Sequence, residues 1–190
     1  MPPVSTCLIC CRNSKLNFMV EIRCLTATEG RQHVAALAGV LLDCVEGGAS
    51  VSFMASLSKA GAESYFEDVL AGVQKGDRIL LAAFFDSSLV GTVQVLTSMP
   101  PNQPHRADVA KLLVARAARG QGIGSRLMEE VERVSRQAGK TLLVLDTATG
   151  DRAERLYVHL GWTRLGIIPG YAMYPDGTWG DTTFFWKRLP

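Results

Sequence analysis

The sequence predicts a mixed α/β fold, one seven-stranded sheet with helices on both faces. Three observations predict it. Strand-like and helix-like segments follow one another in the order β-α-α-β-β-β-α-β-α-β-β. Residues 141–146 are almost wholly apolar, the pattern of a strand covered on both faces. A glycine-rich turn, residues 119–125, joins a strand to a long amphipathic helix.

Val20–Leu25 reads as the first strand. Thr26, with Glu29 three residues on, forms a capping-box pattern. Val34, Leu37, Leu41 and Val45 then recur at helical spacing until Gly47 and Gly48 stop the helix. A second helix is expected from about Gly61, with Tyr65, Phe66, Val69, Leu70 and Val73 on one side and Gly76 as its end. Arg78–Phe85 and residues 89–96 are strands joined by a short turn at 86–88, hence an antiparallel hairpin. Pro100, Pro101 and Pro104 mark an exposed loop. Residues 108–115 form the next strand, and 123–138 a helix turning Leu127, Val131 and Val134 inward. After the apolar strand 141–146 comes a short helix, 151–160, closed by Gly161. The last two strands, 162–167 and 182–189, flank a loop over 169–179 rich in Gly, Pro and Tyr.

The 190 residues fit one domain. Residues 1–18 follow neither the period of a strand nor that of a helix, so they are expected to be a loose extension of a domain spanning 19–190. Lys+Arg 20 against Asp+Glu 18 leaves a charge of +2, without the basic excess of a dedicated nucleic-acid binder. The longest apolar run, residues 79–85, is far short of the roughly 18 residues a membrane-spanning helix needs. Cys7, Cys10, Cys11, Cys24 and Cys44 are odd in number and offer no disulfide framework. The Cys7-x-x-Cys10-Cys11 cluster lacks a second ligand pair at zinc-site spacing, so no metal is expected. No Lys or Arg precedes Cys7 and the apolar stretch there is short, so no secretory leader is expected and the setting is taken as cytoplasmic. Cys24 and Cys44 are expected to be buried and reduced.

Chemistry concentrates in Arg119-Gly120-Gln121-Gly122-Ile123-Gly124-Ser125-Arg126. Glycines let the backbone approach a ligand closely. The N–H groups opening the following helix have no intrahelical acceptors and carry the positive end of its dipole. The combination suits a phosphate or pyrophosphate. A Walker A loop would need a Lys that is missing here, and the dinucleotide fingerprint needs a different glycine spacing. A purely structural strand-to-helix turn is the alternative. No Gly-x-Ser-x-Gly elbow occurs, and His33, His105 and His159 are scattered.

Arg119-x-x-Gly122-x-Gly124 matches the Arg/Gln-x-x-Gly-x-Gly/Ala signature of the GNAT acetyltransferases. The match extends upstream through Leu112-Leu113-Val114 and downstream to Ala153-x-x-Leu156-Tyr157-x-x-x-Gly161-Trp162. The chain resembles that family over roughly residues 20–190. Gly47-Gly48-Ala49-Ser50-Val51-x-Phe53-Met54, Leu145-Asp146-Thr147, Pro169-Gly170-Tyr171 and Pro175-Asp176-Gly177 resemble its tabtoxin-resistance branch more closely.

The resemblance implies a three-layer GNAT-type fold, its sheet mostly antiparallel and splayed at the coenzyme site, with acetyl-CoA as cosubstrate. Backbone amides from Gly120 through Gln121, Gly122, Ile123 and Gly124 to Ser125 would hold the pyrophosphate, with Arg119 and Arg126 near the phosphates. Leu112 would offer its N–H to the acetyl carbonyl, an oxyanion role. Leu113 and Val114 would lie along the pantetheine, Val114 pairing with its amides, and Ala153 would also contact the coenzyme. Tyr157 would protonate the departing thiolate; the alternative is a core aromatic. Asp146 is the candidate base for the acceptor amine, against a role in capping or in fixing a cationic substrate. Glu21, Asp43 and Asp181 are weaker candidates. Gly150 stands where many members carry Asn, and Arg116, expected to be exposed and neutral in effect, where Pro is usual.

The implied activity is transfer of acetyl to a primary amine of a small molecule, such as an amino-acid-like toxin or antibiotic, by direct attack in a ternary complex. Residues 47–54 and 169–179 would form the acceptor wall. Transfer to a protein or peptide N-terminus and a non-catalytic acyl-CoA-binding module are the alternatives. A homodimer is expected from the resemblance only; no nucleic acid or membrane partner is expected.

Overall fold

A computed structural model of the chain describes residues 20–190. The expected loose extension, 1–18, and Cys7, Cys10 and Cys11 lie outside the described residues. The elements are β1 (Val20–Leu25), α1 (Ala27–Gln32), α2 (Val34–Glu46), α3 (Lys59–Lys75), β2 (Arg78–Phe85), β3 (Ser88–Leu96), β4 (Arg106–Val114), a 3-10 turn (Arg116–Ala118), α4 (Ile123–Gln137), β5 (Leu142–Ala148), α5 (Arg152–His159), β6 (Thr163–Met173) and β7 (Trp179–Arg188). The strands form one sheet in the order β1-β2-β3-β4-β5-β7-β6. Every pairing is antiparallel except β4 with β5.

Alternation along β2 explains the layering. Leu80, Ala82 and Phe84 join Leu37, Leu41, Phe66 and Leu70 of α2 and α3 in one core. Leu81 and Ala83 point the other way, into a second core with Leu127, Met128 and Val131 of α4. Both faces are therefore apolar, and the run 79–85 is that of a central strand. Burying a side chain such as Phe66 or Leu70 completely contributes about 1.5–3 kcal/mol each.

Local signals place most boundaries. Thr26 accepts from the Glu29 N–H while the Glu29 carboxylate accepts from the Thr26 N–H, so both halves of the capping box are made. The expected single helix after it is two, because the chain breaks at His33 between α1 and α2. Ser58 caps α3, which starts at Lys59 rather than Gly61. The hairpin turns on Asp86 and Ser87 alone, both at positive φ.

Three expectations need correction. The 169–179 loop does not exist as such: β6 runs on through Pro169 to Met173, and only a tight turn separates it from β7. Pro169 is tolerated because β6 is an edge strand, where a missing N–H costs no ladder bond. Second, β5 is not enclosed on both faces. Leu143 and Leu145 are buried, but Leu142 and Val144 are only half-buried and Asp146 is exposed, since α2 and α3 pack chiefly on β2–β4. Third, Cys24 is exposed on the edge strand β1; Cys44 is buried, and both are free thiols.

Candidate active site

β4 carries the geometry. Its first residues pair with β5: Arg106, Ala107 and Asp108 are in register with Leu142, Leu143 and Val144, and Asp108 also with Leu96 of β3. Beyond Asp108 the two strands part, although β4 continues to Val114 and β5 to Ala148. On its other edge β4 stays with β3, but Gln94 opposes Ala110 while Thr92 opposes Leu113. Lys111 and Leu112 thus share the space of one β3 residue, which makes a β-bulge. Lys111 sits at φ 56°, and the bulge inverts the alternation. Ala107 and Val109 face the α4 core before it, Leu112 and Val114 after it, while Leu113 joins the opposite core.

The gap opens into a cleft of about 810 Å³, within the range of small-molecule sites. One wall is β4 from Val109 to Val114, the opposite wall β5 and its turn from Asp146 to Asp151. The glycine turn and the start of α4 close one end. Gly122 caps α4 at φ 73°, a conformation costly for any residue with a Cβ, and among the described residues no side chain caps the N–H groups behind it. At Gly124 the requirement is space: a Cβ would lie 3.2 Å from Leu156 Cδ2. The turn thus presents unpartnered amides at the positive end of a helix dipole to the cleft.

The expected residues separate clearly. Leu112, Leu113, Val114, Arg119, Gly120, Gly122, Ile123, Gly124, Ser125, Ala153, Asp146 and Tyr157 all line this one cleft. Gln121 and Arg126 are exposed and do not line it. Arg119 turns inward: its Nε donates to the Val114 carbonyl at 3.0 Å, and it reaches Cys44 Sγ at 3.7 Å. The Val114 carbonyl, expected to face pantetheine, therefore already has a donor. Arg116 is not neutral in effect. Its backbone N–H and Nε both donate to the Asp43 carboxylate, at 2.6 and 2.8 Å, tying the end of α2 to the end of β4. This removes Asp43 as a base. Asp181 accepts from the Gly170 N–H and Glu21 pairs with Arg23, and neither lines the cleft.

Tyr157 is buried against Trp162 and Phe185, with ring centroids 6.0 and 5.6 Å away, so the core-aromatic reading holds for the ring. Its hydroxyl has no hydrogen-bond partner among the described residues, and Tyr157 lines the cleft. Burial pushes the phenol well above its ordinary value, with the charges of Asp151 and Asp146 adding to the effect. The hydroxyl is thus held protonated, a standing donor but a weaker acid than a free phenol. Although Asp146 is exposed overall, desolvation of its carboxyl by neighbouring protein atoms raises it above the ordinary value; Lys111 and a backbone hydrogen bond oppose the rise and Asp108 adds to it.

The segments expected to form the acceptor wall do meet. Ser50 Oγ donates to the Met173 carbonyl at 3.2 Å, and the Ala55 N–H to the Pro175 carbonyl at 3.1 Å. Residues 47–52, Tyr171, Ala172 and Tyr174 line the cleft, whereas Trp179 points to solvent. Sequence reasoning missed Lys111, which extends from the bulge into this space and donates to Ser52 Oγ at 3.0 Å. A lysine interrupting an apolar strand was the available signal.

Residues 50–162 match the family model described as the acetyltransferase (GNAT) family, and the chain belongs to that family. Solved structures share the fold at low identity. An N-acetyltransferase from Staphylococcus aureus Mu50 is 18% identical with a TM-score of 0.75, covering 90% of this chain and 99% of its own. The ribosomal-protein-alanine N-acetyltransferase of Brucella melitensis is 23% identical at 0.74, covering 89% and 99%. The yncA protein of Salmonella typhimurium, solved with its cofactor acetyl-CoA, is 20% identical at 0.73, covering 90% and 94%.

Proposed function

We propose that the protein is an N-acetyltransferase that moves acetyl from acetyl-CoA to a primary amine of a small molecule by direct attack in a ternary complex. One observation carries the reading: the opening between β4 and β5 places the free helix amides, the bulge at Leu112, Asp146 and Tyr157 around one cleft. Acetyl-CoA suits this lining. Its pyrophosphate meets the amides of Gly122–Ser125, and its pantetheine arm takes the strand position that β5 leaves beside Val109–Val114. Leu112, out of register with β3, is free to turn its N–H toward the acetyl carbonyl, where negative charge develops on attack. Asp146 takes the proton that the acceptor amine must lose. Tyr157 returns a proton to the leaving thiolate.

The hydrogen bonds that join residues 50–55 to the β6–β7 turn close the acceptor end, which favours a small acceptor over a polypeptide. The resemblance to the tabtoxin-resistance branch points the same way, toward an amino-acid-like toxin or antibiotic. A homodimer is part of the proposal: β6 exposes Leu165, Ile167, Ile168 and Met173 along a free sheet edge that a second copy would cover. Light scattering on the purified chain giving the mass of one chain would remove the dimer.

The test is acetyl-CoA-dependent thiol release over amino acids, β-lactam toxins, aminoglycosides, polyamines and short peptides. Turnover is expected on small amines, and Tyr157→Phe should lower kcat about 100-fold or more with acetyl-CoA binding nearly intact. Peptide-only turnover would favour a protein acceptor instead. Coenzyme binding with no turnover on any amine would make the chain a binding module.

A further inference from the structure

Lys111 has no role in coenzyme binding or proton transfer, yet the fold goes to some length to place it. It stands on the bulge at φ 56°, and its one hydrogen bond among the described residues joins it to Ser52, itself at φ 71°. Non-glycine residues rarely adopt this region, and such strain collects at functional sites. Two strained residues 59 positions apart therefore meet across the acceptor end of the cleft. The ammonium carries three donors and Ser52 occupies one. Lys111 makes no ion pair among the described residues, although Asp146 across the cleft is near enough for each charge to act on the other. A half-buried cation with a neutral partner is incompletely satisfied.

We infer that Lys111 binds a carboxylate of the acceptor, so that the substrate is a zwitterion held with its carboxylate on Lys111 and its amine toward Asp146. The inference rests on the acetyltransferase reading and assigns a specificity-determining residue within it. A simple monoamine would leave Lys111 uncompensated, and a polyamine would set a second cation beside it. A ligand with one amine and one carboxylate satisfies both walls at once. The hydroxyl of Ser52 keeps the ammonium aimed while the site is empty of acceptor.

The experiment compares free amino acids with their carboxamides as acceptors, in wild type, Lys111→Met and Lys111→Arg, each first shown to bind acetyl-CoA. Wild type should prefer the free acid by at least about tenfold in kcat/KM, the scale of a charge-assisted hydrogen bond. Lys111→Met should erase that preference through KM with little change in kcat, and Lys111→Arg should keep part of it. Equal use of acid and amide by wild type, or a preference that survives Lys111→Met, overturns the inference while leaving acetyl transfer standing. A second readout needs no turnover: the Lys111 side-chain NMR signal of coenzyme A-loaded protein, titrated with the same amino acids and amides. A shift with the acids alone supports carboxylate binding even if no amine is acetylated, a result that would sink the proposed function instead. No shift with either series counts against the inference.

Discussion

The two halves of β4 differ in what they do with their backbone. From Arg106 to Asp108 the strand is laddered with β5, joined at Asp108 by Leu96 of β3, and Ala107 is fully enclosed. From Val109 to Val114 it keeps only β3, carries a bulge and borders a cleft of about 810 Å³. The helix cover from α4 is shared by both halves. What changes is the partner on one edge. A buried backbone group without a partner is costly, so an edge left open inside a sheet acts as a template for something strand-like. The closed half supplies rigidity; the open half exposes donors and acceptors at fixed spacing. This division predicts that substitutions bordering the open half cost turnover, and those in the closed half cost stability.

The sharpest break of that comparison is Asp146→Asn. If Asp146 takes the amine proton, kcat should fall by about 10²–10⁴. In wild type the acid limb of the rate profile should lie above the ordinary aspartate value of about 3.9, because desolvation and the charge of Asp108 raise this carboxyl more than Lys111 and a backbone hydrogen bond lower it. A folded value above the unfolded one means that the charged form burdens the native state. That burden is present above the folded pKa and absent below the unfolded one. Asp146→Asn should therefore raise the melting temperature at pH 7, with the gain fading as the pH falls through the raised folded value and gone below the ordinary aspartate value. A variant that raises KM alone and keeps kcat would assign Asp146 to holding the substrate cation.

How much of this was legible in the sequence follows the same division. The closed regions were readable because local patterns sufficed: the Thr26–Glu29 capping box, the helical spacing of Leu127, Val131 and Val134, and the apolar run of β2. The glycine turn was readable because positive φ at Gly122 favours glycine and the close Leu156 side chain at Gly124 favours a small residue. The open regions were not. The bulge at Lys111 shifts the alternation by one, but Leu112, Leu113 and Val114 are all apolar, so no phase change shows in the letters. The exposure of Asp146 was hidden for a related reason. An apolar strand reads as doubly covered, and nothing in residues 141–146 says that α2 and α3 stop short of it. The second half of β6 was misread as a loop because Pro169 and Gly170 are ordinarily turn residues; only its place at the sheet edge makes them acceptable in a strand.

A smaller effect, of the opposite kind, sharpens the comparison from the closed side. Ala107 pairs with Leu143 and shares its core with Val109, Leu127 and Val131. Ala107→Leu would insert three carbons where no surface is left, and overpacking of this sort costs about 1–3 kcal/mol. For a domain of this size each kcal/mol lowers the melting temperature by roughly 2–4 °C. Below the transition, kcat and the KM for acetyl-CoA should stay at wild-type values, because the parting of the strands begins only after Asp108. The measurement is a thermal melt beside steady-state kinetics at 25 °C. An unchanged melt would mean that the closed half has slack, and a large rise in KM would mean that the two halves of β4 move as one.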